Sequence, residues 1–171
     1  MVDPIVCASA RDGFALVSLA ARRDAGAAAA SRMQQQLGLE LPPPGRWTAS
    51  GDLVAICTTP GQWLVMQDHN DFTLCDRLSA VVLESATVIE LSDSRVAIQM
   101  SGTGVRTALG TFLPLDLHPR AMQPGAVAAT VAAHLPVLVR QIDDVPTYEL
   151  LCARSFAGSF YRALELAGVA V

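Results

Sequence analysis

Thirteen residues, Leu113 to Gly125, constrain this chain more than any other stretch. They read Leu-Pro-Leu-Asp-Leu-His-Pro-Arg-Ala-Met-Gln-Pro-Gly. Pro114, Pro119 and Pro124 each fix their own φ and disfavour helix in the residue before them. None can donate to a sheet ladder, so the segment cannot be a helix or a central strand. It is expected to run extended and to end in a turn at Pro124-Gly125. In an extended chain Asp116, His118 and Arg120 point one way, and Leu115 and Leu117 the other. The expectation is a stiff ribbon, glued down by leucines and displaying three polar groups.

The rest of the chain must supply what the ribbon is glued to. A length of 171 residues suits one domain, and 51% apolar residues suffice for a substantial core. Charged residues are only 16%, well under the roughly 25% of an average domain. That sparseness fits a surface partly covered by another protein, and equally fits a chain rich in small alanines. All basic residues are arginines, because the chain contains no lysine. With a net charge of −4 and no basic run, phosphate-driven nucleic-acid binding is excluded. Schiff-base and Walker-type chemistry within this chain is excluded as well. Cys7, Cys57, Cys75 and Cys152 show no C-x-x-C spacing. Met1-Val2-Asp3-Pro4 lacks the pattern of a secretory signal, and Ala126–Val139 is too short to span a bilayer. Free thiols in a cytoplasmic, membrane-free protein are expected.

Periodicity predicts strands over Asp12–Ala21, around Phe14, Leu16 and Val17, and at Asp52–Thr58, Gln62–Met66 and Ala86–Leu91. Asp24 is expected to cap an alanine-rich helix that stops at Gly38, and Asn70 to cap a second helix with a stripe of Leu74, Cys75, Leu78, Val81 and Val82. Leu41-Pro42-Pro43-Pro44-Gly45 reads as a stiff connector at 41–45. In the second half, Arg95–Met100 alternates with Val96, Ile98 and Met100 inward, and a short helix follows. Beyond the ribbon come strands at Ala126–Ala132, Leu138–Ile142 and Tyr148–Ala153. Ser155 is expected to cap a last helix with Phe156, Phe160, Ala163, Leu164 and Ala167 on its buried face. The order β-α-β-β-α-β, then β-α-β-β-β-α, predicts one α+β domain over 1–171, made of two pseudo-duplicated split β-α-β (ferredoxin-like) units.

Several blocks lie in order along the chain: Leu91-Ser92-Asp93-Ser94-Arg95, the proline ribbon, Pro146-Thr147-Tyr148-Glu149-Leu150 and Arg154-Ser155-Phe156-Ala157. With Gly61-Gln62-Trp63-Leu64 in the first half, they resemble the gamma subunit family of heterotetrameric sarcosine oxidase. The resemblance implies a fold related to the folate-binding domain of aminomethyltransferases. It implies a non-catalytic subunit of an oxidoreductase complex that demethylates sarcosine or a related N-methyl amino acid, in sarcosine catabolism and one-carbon metabolism. It further implies alpha and beta partner subunits with a small delta subunit. FAD, FMN, NAD and tetrahydrofolate would sit on those partners and none on this chain. The alternative is a free-standing folate-binding module of the same fold.

Read residue by residue, Asp116 and His118 form either an acid–base pair oriented by Arg120 or anchors for backbone and partner groups. The absence of a nucleophile in the motif favours anchoring. Ser101-Gly102-Thr103-Gly104 offers either an anion cradle or a tight turn, and it lacks the full phosphate fingerprint. Asp93 and Arg95 read as a cofactor contact or as a turn with Arg95 facing out; Arg95 has Glu149 and Asp116 as candidate ion partners. His69, His118 and His134 share no ligand spacing, so no metal site is expected. No catalytic or cofactor-binding residue is expected either. The candidate subunit-interface residues are Asp116, His118, Arg120, Arg95, Arg154 and Phe156.

Overall fold

The computed structural model describes residues 6–11, 13–167 and 169. They form two compact units, one of Gly13–Ser92 and one joining the N-terminal segment up to Asp12 with Asp93–Val171. In chain order the first elements are β1 (Cys7–Arg11), β2 (Ala15–Ala21), α1 (Gly26–Leu37), β3 (Trp47–Ser50), β4 (Leu53–Thr59), β5 (Gln62–Gln67), α2 (Leu74–Val82) and β6 (Ala86–Glu90). Then follow β7 (Arg95–Ser101), α3 (Val105–Gly110), β8 (Val127–Ala132), β9 (Leu135–Asp143), β10 (Thr147–Ala153) and α4 (Ala157–Leu166).

Each unit carries one five-stranded sheet, ordered β3-β4-β5-β2-β6 and β8-β9-β10-β7-β1. Every neighbouring pair is antiparallel. The two orders superimpose term by term, with β2 matching β7, β5 matching β10 and β6 matching β1. The expected duplication of α+β units is therefore real. Its last strand is permuted: β6 follows its own helix α2, whereas β1 comes from the start of the chain. The sequence reading missed β1 and β3. Both are short edge strands whose residues are half-buried or exposed, so neither shows an apolar alternation.

In the Gly13–Ser92 unit, β2, β4 and β5 bury Val17, Leu19, Ala55 and Val65 against the helices, with Ala29 and Met33 of α1 and Leu74, Leu78 and Val82 of α2. The spacings of four residues put each helical set on one face. Gly38 closes α1 as expected, at φ +64, with its N–H on the Gln34 carbonyl (3.0 Å) and Leu39 buried behind it. Two helix starts differ from expectation. Asp24 has φ +61 and belongs to a turn closed by Ala25 N–H on the Arg22 carbonyl, so α1 starts without a side-chain cap. At α2 the turn is organised by Asp71, not Asn70: its Oδ1 accepts from the Thr73 N–H (2.8 Å) and hydroxyl (2.6 Å). The 41–45 segment lies inside this unit, joining α1 to β3. Its buried Leu41 and Pro42 are held by Trp63, whose Nε1–H donates to the Pro42 carbonyl (2.9 Å).

In the other unit, Ile98, Met100, Val139, Tyr148 and Leu150 pack with Val105 and Leu109 of α3 and Phe160 and Leu164 of α4. Ser155 does not cap α4. A single 3-10 turn over Arg154–Phe156 leads into it, and no side chain bonds its first N–H groups. That turn rotates Phe156 off the buried face, leaving it 37% exposed. No helix among the described residues is long and apolar enough to cross a membrane.

Candidate functional site

The ribbon has no helix or strand of its own. Leu113, Leu117 and Met122 are buried in the core and Leu115 is half-buried, while Pro114, Asp116, His118, Pro119 and Arg120 are exposed. The gluing and the display are thus both present. The first backbone-closed turn of the ribbon begins at His118, however. The His118 carbonyl then accepts from the Ala121 N–H (2.8 Å) and the Met122 N–H (3.0 Å), closing one turn. A second turn places Pro124 and Gly125 at its corner, with Ala126 N–H on the Gln123 carbonyl (2.9 Å) and Gly125 at φ +86. Positive φ after proline is the type II arrangement that glycine serves.

The three displayed side chains do not form an acid–base pair. Asp116 Oδ1 accepts from the backbone N–H of His118 (2.9 Å), and His118 Nδ1 accepts from the backbone N–H of Arg120 (3.1 Å). Each side chain is thus spent on pinning the backbone two residues on. Because Nδ1 accepts, the neutral imidazole carries its proton on Nε2, and that N–H faces out. The ribbon therefore presents a carboxylate, an imidazole donor and a guanidinium on a backbone held by two local side-chain hydrogen bonds.

A second fastened surface is the corner at Arg154. Its Nε donates to the Asp93 carbonyl (2.6 Å) and its Nη2 to the Arg95 carbonyl (3.4 Å). Arg154 thereby ties the start of β7 to the end of β10, beside the exposed ring of Phe156. Asp93 lies in a 3-10 turn over Ser92–Ser94. Arg95 is paired with neither of its candidate carboxylates. It sits opposite Ala153, whereas Glu149 sits opposite Gln99. Four residues along a strand is about 13 Å, beyond reach.

Glu149 instead belongs to a buried triad that the sequence reading missed. Its Oε2 meets Arg11 Nη1 at 2.6 Å and its Oε1 meets Arg140 Nε at 2.7 Å. The Glu149 side chain is 1% exposed and that of Arg140 5%. The visible signal was a glutamate in an otherwise apolar strand, and Arg140 is its direct partner in the β9–β10 register. Nearby, Arg106 Nε donates to the hydroxyl of buried Tyr148 (3.1 Å), and burial pushes that phenol's pKa up against the pull of the arginine.

Ser101-Gly102-Thr103-Gly104 forms a tight turn, with Val105 N–H on the Gly102 carbonyl (3.1 Å). Burial raises the thiol pKa of Cys57, Cys75 and Cys152, keeping them protonated. Among the described residues no cluster of His, Cys, Asp and Glu could hold a metal ion.

The family model described as "Sarcosine oxidase, gamma subunit family" matches residues 22–170. Sarcosine oxidase subunit gamma of an Arthrobacter species is 30% identical over 91 residues, covering 53% of this chain and 45% of the relative. The subunit gamma of Corynebacterium sp. strain P-1 is 28% identical over the same length and shares. The chain thus matches about half the length of these curated relatives. A chain of the heterotetrameric sarcosine oxidase from Corynebacterium sp. U-96, solved with pyrrole 2-carboxylate, shares the fold at a TM-score of 0.83 and 23% identity, over 95% of this chain and 83% of that one. The glycine cleavage system aminomethyltransferase T from Bartonella henselae shares it at a TM-score of 0.64 and 10% identity, over 93% of this chain and 45% of that one.

Proposed function

Since the chain belongs to the sarcosine oxidase gamma subunit family, we propose that it is the gamma subunit of a heterotetrameric sarcosine oxidase-like flavoenzyme and braces its larger partners without catalysing a step. The observation that carries this reading is the family match over 22–170. Its support in the geometry is the proline ribbon, rigid in its backbone and unengaged at its tips. Alpha, beta and delta subunits are the proposed partners. They would hold FAD, FMN, NAD and tetrahydrofolate and oxidise sarcosine or a related N-methyl amino acid in the cytoplasm. Asp116, His118 and Arg120 form one proposed contact surface; Arg95, Arg154 and Phe156 form the other. The two units act as one module in this reading, because the Gly13–Ser92 unit is inserted between β1 and the rest of its sheet.

Co-expression with the other subunits, followed by size exclusion, tests the proposal. Co-elution supports it, and a chain that always elutes apart from them contradicts it. The aminomethyltransferase-like fold favours a second reading, direct folate binding by the lone chain. Saturable micromolar binding of tetrahydrofolate to the isolated protein would establish that instead.

A further inference from the structure

Helices α1 and α2 flank an open cleft of about 780 Å³ in the Gly13–Ser92 unit. From α1 it is lined by Ala28, Ser31, Arg32, Gln35 and Gln36. Steps of three and four residues place these on a single helix face, distinct from the Ala29–Met33 face turned to the core. From α2 it is lined by Arg77, Ala80 and Val81, and from the turn after α2 by Leu83. Val81 and Leu83 give the α2 side an apolar part, and the polar side chains lie mainly along α1.

The charge of the lining is one-sided. The unit carries five arginines against eight carboxylates, yet no carboxylate lines the cleft, while two arginines do. Arg77 is partly spent: its Nη1 meets Asp71 at 3.1 Å and its Nη2 donates to Gln67 Oε1 at 2.9 Å. Arg32 has no hydrogen-bond or ion-pair partner for its guanidinium among the described residues. Ser31 Oγ accepts from Gln35 Nε2 (3.1 Å), which leaves the serine O–H free to donate. A guanidinium, a hydroxyl and the Gln36 amide therefore offer donors along one face. A guanidinium fork matches a carboxylate.

We propose that this cleft docks a carboxylate-bearing segment of a partner subunit; the proposal rests on the subunit reading above. Charge selects the occupant. The acid excess elsewhere on the unit repels an acidic segment, so Arg32 and Arg77 fix where such a segment lands. The opening selects a tethered chain over a free anion. The cleft has no roof, so a small anion there stays hydrated and gains little. A protein segment is held along the α1 face, about 18 Å long, by its own backbone and its neighbours.

The test uses the complex assembled from this chain and the remaining sarcosine oxidase subunits. Arg32→Glu and Gln36→Glu each place a carboxylate in the cleft without removing any bond described above. Arg23→Glu, exposed and outside the cleft, makes the same charge reversal as Arg32→Glu and serves as control. All three are expected to keep the wild-type melting curve. The cleft variants are expected to weaken assembly by about tenfold or more, with Arg32→Glu also flattening its salt dependence, while the control stays within about twofold. Assembly of both cleft variants at wild-type affinity would overturn the proposal while leaving the subunit reading standing. Citrate binding that Arg32→Glu abolishes, with assembly untouched, would make the cleft a small-anion site and overturn it too. A wild-type chain that does not assemble at all would remove the subunit reading along with the docking site.

Discussion

Replacing Glu149 by leucine should be among the most damaging single changes in the chain. The carboxylate is 1% exposed and is shared between Arg11, whose side chain is 19% exposed, and Arg140, at 5%. Without it, Arg11 can turn toward water. Arg140 cannot, because it sits on β9, between β10 and β8, with its side chain only 5% exposed. Removing one member of a buried ion pair costs about 3–5 kcal/mol, mostly as the penalty of the charge left behind. For a chain of this size each kcal/mol moves the midpoint by about 2–4 °C. Glu149→Leu is therefore expected to melt about 10 °C or more below wild type, read by circular dichroism with a urea titration alongside. The companion experiment is Glu149→Leu with Arg140→Met. If the damage comes from an uncompensated guanidinium, the double variant recovers most of the loss. A single variant melting within about 1 °C of wild type, or a double variant no better than the single, would refute this account of the triad.

Three further outcomes are expected. Trp63→Phe deletes the donor to the buried Pro42 carbonyl and should cost about 1–3 kcal/mol by urea unfolding, while Trp47→Phe, which leaves that bond intact, should cost less. Gly38→Ala forces a Cβ into a residue at φ +64 and to 3.3 Å from Ser50 Oγ, so it should cost about 1–2 kcal/mol. The hydrogen bonds from Thr73 hold the Asp71 pKa below the ordinary carboxylate range. A carboxylate with a lowered folded pKa stabilises fully above its unfolded pKa and loses that contribution as pH falls through the folded one. The stability gap between wild type and Asp71→Asn should therefore be constant near neutrality and close on acidification; a gap that widens in acid would contradict the assignment.

What could be read ahead of the structure followed from local physics. Three prolines forbade regular structure at 113–125, and leucine spacing told which side faced the core. Gly38 announced the end of α1, and Ile98 and Met100 announced the inward face of β7. Legibility failed where a side chain's partner is remote. Asp24, Asn70 and Ser155 all have good capping chemistry, yet tertiary context put each helix start elsewhere. Asp71 does the work expected of Asn70, one residue later. The side chains of Asp116 and His118 are neighbours in sequence, but each found a backbone N–H closer than the other's polar atoms. Glu149 was the hardest to foresee, because one of its two arginines comes from the opposite end of the chain and β1 has no periodic signal of its own.

The permuted position of β1 sets an order for biosynthesis. The strand is made before its place beside β7 exists, because the whole Gly13–Ser92 unit is translated in between. The Gly13–Ser92 unit can close while translation continues. The leading segment must meanwhile wait unpaired, keeping Arg11 in reserve for a glutamate near the far end. A nascent chain stalled before β7 would thus keep β1 unpaired and open to capture by chaperones, and one stalled between β7 and β10 would pair β1 while its Arg11 still lacks Glu149.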